Sequence, residues 1–119
     1  MKVLLDTNFL LLPAQAKVDI FGQLRGLGYG EWATLDAVVR ELRALGSRQA
    51  RLALHLVEQK GVDILRTRGG RADDELLRLG RQGYAVCTQD AALARRLHRA
   101  GVRVLTLRQK KYIVEKEIF

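Results

Sequence analysis

The sequence has little of what several common kinds of protein site require. One cysteine, Cys87, cannot form an intramolecular disulfide, and one cysteine with two histidines cannot supply the four ligands of a structural zinc site. Ser47 is the only serine, which disfavours a serine nucleophile. No apolar run approaches the roughly 20 residues that span a bilayer, and Asp6 interrupts the first apolar run too early for a signal peptide. We therefore expect a soluble, cytoplasmic protein without a membrane segment.

What the sequence does contain is enough apolar residues for one core and a large excess of positive charge. The chain has 119 residues, of which 48% are hydrophobic, and no repeat or linker divides it, so we expect residues 1–119 to form a single domain. Lys and Arg number 21 against 13 Asp and Glu, a net charge of +8. Such a field attracts phosphate backbones, although it is also compatible with a merely well-solvated surface.

Short apolar runs alternate with segments of helical periodicity along the whole chain. The pattern predicts strands at residues 3–5, 31–34, 62–65, 84–88 and 102–105, and a terminal strand around 112–114. It predicts helices from Pro13 to the glycines that follow residue 25, and at 36–45, 48–60, 72–82 and 90–100. Continuous rather than alternating apolar strands are typical of a sheet covered on both faces. We therefore predict an α/β fold, a three-layer α/β/α sandwich with a mostly parallel central sheet.

Three aspartates follow predicted strands. Asp6 directly follows the first strand, Asp90 follows the strand at 84–88, and Asp73 opens the helix after the strand at 62–65. Since sites in open α/β sheets form outside the carboxyl ends of the strands, we expect these acids to point towards one edge. Each also stands near a helix start, where an aspartate is a favoured N-cap.

Glu41 is predicted to lie within an apolar stripe of its helix, three residues after Val38 and four before Leu45. A carboxylate that faces the sheet needs a partner, which a salt bridge to an arginine could provide. If several acids lie together, a bound cation could be the partner instead, because two carboxylates about 4 Å apart repel each other by roughly 4 kcal/mol. Oxygen ligands without Cys or His select Mg²⁺ or Mn²⁺.

At these positions the sequence resembles the PIN domains, a family of metal-dependent single-strand ribonucleases. The resemblance covers nearly the whole chain, in order, and rests on four short motifs: Asp6-Thr7-Asn8, Val38-Val39-Arg40-Glu41-Leu42, Ala72-Asp73-Asp74 and Thr88-Gln89-Asp90.

The resemblance implies a set of roles. Asp6, Glu41, Asp73 and Asp90 would be the catalytic metal ligands, holding one or two Mg²⁺ or Mn²⁺ ions that bind the scissile phosphate and activate water. Asn8 and Thr88 would orient the carboxylates. Asp74 would be either an additional ligand or a residue of the helix start.

Within the family, the chain looks most like the archaeal branch related to the PIN nuclease of the eukaryotic small-subunit processome. That likeness implies ribosomal RNA processing and a ribosome-assembly partner. The toxins of toxin–antitoxin pairs, which would imply an antitoxin partner, are the alternative branch, and homodimers are common in the family. A third hypothesis is that the protein is an RNA-binding assembly factor that does not cut RNA.

Basic residues near these motifs are the candidates for RNA contacts. Three lie in the loop that leads to Asp73, and three others lie on the helix after Asp90 and near the C-terminus: Arg66, Arg68, Arg71, Arg95, Lys110 and Lys111. The alternative for the terminal residues is a charged edge strand that deters edge-to-edge pairing.

A phosphoacceptor signalling domain fits poorly, because its last strand needs a lysine and the only basic residue at 102–105 is Arg103.

Overall fold

The computed structural model describes residues 1–116, and in this range a six-stranded sheet runs in the order β3-β2-β1-β4-β5-β6. Its strands are β1 (Lys2–Leu5), β2 (Glu31–Leu35), β3 (Asp63–Leu65), β4 (Ala85–Cys87), β5 (Val104–Arg108) and β6 (Tyr112–Glu115). Neighbouring strands are parallel except β5 and β6, which are antiparallel. The predicted α/β fold with a mostly parallel sheet is confirmed, as is a strand at 112–114.

Seven helices connect these strands within the same described range. They are α1 (Thr7–Leu10), α2 (Leu12–Ala16), α3 (Ile20–Gly26), α4 (Asp36–Leu45), α5 (Arg48–Gln59), α6 (Ala72–Gly80) and α7 (Ala91–Arg99). Helix α4 contacts α1 and α5, whereas α6 and α7 contact each other. The chain runs outwards from β1 to β3 and then returns to the other side of β1, so the two groups of helices cover opposite faces. None of these helices is long and apolar enough to cross a membrane.

The central strand β1 lies inside the core. Val3, Leu4 and Leu5 are fully buried, because helices cover both faces of the sheet there. On one face Phe21 of α3 meets Trp32 of β2 edge-to-face, with ring centroids 4.9 Å apart. The carboxyl end of β1 is thereby held rigidly in the middle of the sheet.

The segment before β2 differs from the prediction of one helix from Pro13 onwards. It forms two short helices, α2 and α3, because Lys17 adopts a left-handed conformation (φ 54°) at the end of α2. Helix α1, which lies before Pro13, was not predicted. Asp19 then begins α3 by accepting a hydrogen bond from the Gly22 N–H at 3.0 Å. The predicted helical segment is present, but the end of α2 at Lys17 and the N-cap of α3 at Asp19 divide it into separate helices.

Unlike the central strands, β3 is not buried on both faces. This strand lies at one edge of the sheet, and Ile64 is 52% exposed. An apolar run therefore did not distinguish an edge strand from a central one.

Candidate active site

The strand order reverses beside β1, which has β2 on one side and β4 on the other. In an open parallel sheet the crevice outside the strand ends at such a reversal is a binding position. There the structure has an open cleft of about 280 Å³. All four of the acids that the sequence singled out line this cleft, which is formed by Asp6, Thr7, Asn8, Leu11, Glu41, Leu45, Ala72, Asp73 and Asp90.

Asp6 is the most buried of these acids, with only 8% of its surface exposed. Its Oδ1 accepts a hydrogen bond from the Thr7 N–H at 2.8 Å, and its Oδ2 accepts one from Thr88 Oγ1 at 2.8 Å. The Nδ2 of Asn8 is 3.4 Å from the same Oδ2, a longer contact. Burial raises the pKa of Asp6, the bonds from Thr88 and Thr7 lower it, and the neighbouring charges of Asp73 and Glu41 raise it.

Asp90 follows β4 and caps helix α7. Its Oδ1 accepts hydrogen bonds from the N–H groups of Ala92 at 3.0 Å and Leu93 at 3.1 Å. Its own N–H donates to Thr88 Oγ1 at 3.1 Å. The capping expected for Asp6 and Asp90 is therefore observed for both, while both also line the cleft. Asp73 is no N-cap, since Arg71 holds that position in α6.

Glu41 does not lie in a buried stripe, contrary to the prediction. The buried residues of α4 are Val38, Val39 and Leu42, whereas Leu45 is 53% exposed at the rim of the cleft. The apolar stripe ends one turn early, so Glu41 faces the cleft. Its Oε2 accepts a hydrogen bond from Thr7 Oγ1 at 2.8 Å, and no arginine of residues 1–116 forms an ion pair with it.

The two adjacent aspartates at the start of α6 have different surroundings. Asp73 lines the cleft, whereas Oδ1 of Asp74 is 2.6 Å from the Arg96 guanidinium on the neighbouring helix α7. Asp74 is thus occupied as the partner of an arginine, and Asp73 is the better placed of the two to contribute to the cleft.

The donor chemistry of the cleft fits a hard divalent cation, because its four acids supply oxygen atoms and no Cys or His lines it. In the described part of the chain, however, no three His, Cys, Asp or Glu side chains are grouped closely enough to hold an ion as they stand. Oε2 of Glu41 and Oδ1 of Asp90 are engaged in the hydrogen bonds described above.

Two residues that support the cleft were not singled out from the sequence. Thr7 donates a hydrogen bond to Glu41. Gln89, which lies between Thr88 and Asp90, binds their segment to β5 through its side chain. Oε1 of Gln89 accepts from Thr106 Oγ1 and from the Leu107 N–H, both at 2.7 Å, and its Nε2 donates to the Leu107 carbonyl at 3.2 Å. Both residues lie inside the motifs Asp6-Thr7-Asn8 and Thr88-Gln89-Asp90, but nothing in the sequence indicated what their side chains bind.

The residues predicted to contact RNA are all exposed, namely Arg66, Arg68, Arg71, Arg95, Lys110 and Lys111. The loop that carries the first three is anchored at its start. The Thr67 N–H donates to Asp36 Oδ1 at 3.0 Å, and the Arg68 N–H lies 3.4 Å from Oε1 of the buried Glu75. Hydrogen bonds from Thr67 lower the pKa of Asp36. The loop therefore begins from a fixed point beside the cleft.

Comparison with known proteins finds relatives that match nearly the whole chain. The rRNA-processing protein FCF1 of Saccharomyces cerevisiae is 33% identical over 97% of this chain, and this chain spans 64% of its length. Ribonuclease VapC9 of Archaeoglobus fulgidus is 31% identical over 91% of this chain and 84% of its own. The solved structure of the PIN domain endonuclease Utp24 superposes with a TM-score of 0.83 at 27% identity, covering 98% of this chain and 92% of that one.

The family assignment follows from the length of the match. Residues 3–110 match the PIN-like domain family, a range that includes the four acids of the cleft and reaches every strand except β6. The chain belongs to the PIN-like domain family.

Proposed function

We propose that this protein is a metal-dependent endoribonuclease that cuts single-stranded RNA in ribosomal RNA processing. The observation that carries the proposal is the single cleft in which Asp6, Glu41, Asp73 and Asp90 meet at the reversal of strand order. Similarity to FCF1, described as an rRNA-processing protein, and to Utp24, described as an endonuclease, supports the choice of substrate and reaction.

In this proposal the four acids hold one or two Mg²⁺ or Mn²⁺ ions. Such an ion supplies Lewis acidity, which lowers the pKa of water and offsets negative charge on a phosphodiester. Thr88 and Asn8 orient the Asp6 carboxylate, and Thr7 orients that of Glu41. The raised pKa of Asp6 fits this role, because a carboxylate that is costly to ionise alone gains most from a cation.

The positive charge of the remaining surface supports an RNA substrate. Arginines at 66, 68 and 71 lead into the helix that carries Asp73. They would attract the phosphate backbone without reading its sequence.

The experiment that tests the proposal is cleavage of labelled single-stranded RNA with Mn²⁺ or Mg²⁺. We expect the wild type to cut and Asp6→Asn and Asp73→Asn to lose activity, whereas the control Asp63→Asn, an exposed acid on β3, retains it. Comparison of precursor ribosomal RNA with transfer RNA tests the substrate. Preference for transfer RNA would favour a toxin, in keeping with the similarity to the ribonuclease VapC9.

A second candidate function is an RNA-binding assembly factor that does not cut. It is favoured by the spacing of the acids, because no three of them are grouped closely enough for one ion among residues 1–116. Calorimetric titration with Mn²⁺ separates the two candidates. Saturable binding that Asp6→Asn abolishes supports the nuclease, and no binding to the wild type contradicts it.

A further inference from the structure

A second depression, of about 410 Å³, lies between the turn that joins α2 to α3 and the hairpin that joins β5 to β6. Three lysines from two distant parts of the sequence line it, Lys17, Lys110 and Lys111. We call it the lysine groove, and its other lining residues are Ala16, Val18, Asp19 and Gln23. The three lysines are exposed, and within residues 1–116 none of them belongs to an ion pair.

Gln23 fixes the two sides of the groove to each other. Its Nε2 donates to the Lys111 carbonyl at 2.7 Å, and its Oε1 accepts from the N–H of the buried Ile113 at 2.8 Å. One side chain of α3 thus binds the backbone of β6 as a neighbouring strand would. The hairpin that carries Lys110 and Lys111 is held against the segment that carries Lys17.

The backbone around the groove is unusual. Positive φ angles occur at three residues other than glycine among the described residues, Lys17 at 54°, Gln109 at 56° and Lys110 at 56°. This conformation costs roughly 1–2 kcal/mol for a side chain with a Cβ and almost nothing for glycine. Two of the three groove lysines therefore occupy positions where glycine would be more stable, and strained backbone of this kind is concentrated at binding sites.

The one acid that lines the groove offsets only part of the lysine charge. Asp19 forms no ion pair with the three lysines within residues 1–116, and its Oδ1 accepts the hydrogen bond from Gly22 that begins α3. Lysine ammonium groups are compact, strongly hydrated point charges that suit phosphate oxygens. An anionic ligand would relieve the repulsion among three lysines that share one depression.

The groove and the acidic cleft are joined by two elements. Leu11 lines the cleft and Ala16 lines the groove, so helix α2 separates them by roughly 8 Å at about 1.5 Å per residue. On the other side, Gln89 binds Leu107, which lies three residues before Lys110. An RNA strand that occupies the cleft therefore reaches the groove within a few nucleotides.

We propose that the lysine groove binds a backbone phosphate of single-stranded RNA, a few nucleotides from the phosphodiester that lies in the acidic cleft. The inference rests on the proposed RNA substrate but not on cleavage. The contact is independent of base sequence, since it is made to a phosphate, and it sets where along the strand the cleft acts.

The test is the affinity of fluorescein-labelled single-stranded RNA, measured by anisotropy in EDTA so that no cleavage occurs. The variant carries Lys17→Gln, Lys110→Gln and Lys111→Gln together. The matched control carries Lys2→Gln, Arg81→Gln and Arg99→Gln, which remove the same charge at the ends of β1, α6 and α7 away from the cleft. A third variant with arginine at the three groove positions keeps the charge.

We expect the glutamine variant to bind about tenfold more weakly than the control, and the arginine variant to bind like the wild type. The slope of log K against log salt concentration should become shallower by about 0.7 for each RNA phosphate that the variant no longer neutralises. With an RNA in which every linkage is a neutral methylphosphonate, the wild type and the glutamine variant should bind with the same affinity.

Equal affinity of the glutamine variant and the control would overturn the proposal, as would a difference between the wild type and the glutamine variant that persists with the fully neutral RNA. So would an unchanged RNA affinity with loss of binding to a polyglutamate peptide, which would identify the groove as a protein contact. The parallel cleavage assay separates the two proposals. If RNA binding depends on the lysines but the protein does not cut RNA, the groove proposal is supported and the nuclease proposal is contradicted. If the protein cuts RNA equally well without the lysines, the nuclease proposal is supported and the groove proposal is contradicted.

Discussion

The hydroxyl of Thr88 donates a hydrogen bond to Oδ2 of Asp6 at 2.8 Å, and so joins residues that are 82 positions apart in the sequence. Thr88 is 1% exposed, so water does not replace this bond in the folded protein. The bond stabilises the ionised form of Asp6 against the cost of burial and keeps the pKa of Asp6 lower than burial alone would make it. One threonine therefore controls the charge of the most buried acid in the cleft.

Replacing Thr88 with valine removes that bond and conserves shape. We expect the pKa of Asp6 to rise further, so that the acidic limb of the pH–activity profile moves to higher pH, and Mn²⁺ affinity to fall by about 10–100-fold. The control is Thr88→Ser, which keeps the hydroxyl and should keep both properties. A profile for the valine variant that coincides with the wild type would show that Thr88 does not set the charge of Asp6.

Neutralising Asp6 should stabilise the fold in the absence of metal. Because burial raises its pKa in the folded state, ionisation of Asp6 opposes folding above that pKa and costs nothing below its ordinary value of 3.8. We expect Asp6→Asn to melt at a higher temperature than the wild type at pH 7 in EDTA. The difference should shrink as the pH falls towards 3.8. Mn²⁺ at pH 7 should raise the melting temperature of the wild type but not of the variant.

The paired aspartates of α6 should differ in their effect on metal binding. Asp73→Asn removes a carboxylate from the cleft, so we expect it to weaken Mn²⁺ binding in calorimetry. Asp74→Asn breaks an exposed ion pair with Arg96, which is worth about 0–1 kcal/mol of stability, and should leave Mn²⁺ affinity unchanged. The reverse ranking would make Asp74 the ligand.

Loss of the Gln89 side chain should loosen the segment that carries Thr88 and Asp90. We expect Gln89→Ala to lower the free energy of unfolding by about 1–2 kcal/mol, because it removes three hydrogen bonds to β5. Mn²⁺ affinity should fall with it. The matched control Gln59→Ala lies at the exposed end of α5 and should be nearly neutral in both urea denaturation and calorimetry.

Replacing Gly80 with alanine should have two opposing effects on the stability of the fold. Alanine is favoured over glycine by about 1 kcal/mol inside a helix, but a Cβ at Gly80 would lie 2.6 Å from Cγ1 of Val102. Overpacking costs about 1–3 kcal/mol, so we expect a net loss of stability. Combination with Val102→Ala should recover part of it, and a thermal melt of the three variants measures both effects.

The parts of the fold and cleft that could be predicted are those with a repeating or positional signal. Apolar runs located β1 and β4, and the rule that strand ends converge placed Asp6 and Asp90 at one edge. What could not be predicted depends on contacts between distant residues. Lys17 adopts the left-handed conformation that usually indicates a glycine, so its identity did not predict the end of α2. The exposure of Leu45 depends on the neighbouring cleft. The hydrogen bonds of Gln89 form only because β5 lies beside it.

The position of β1 between β2 and β4 has a consequence for the order of events during translation. Asp6 is among the first residues of this domain to leave the ribosome, yet β4, Thr88 and Asp90 emerge some eighty residues later. A nascent chain that ends before β4 leaves one side of β1 unpaired and lacks Asp90 of the acidic cleft. The cleft is therefore assembled only as synthesis of the domain nears its end.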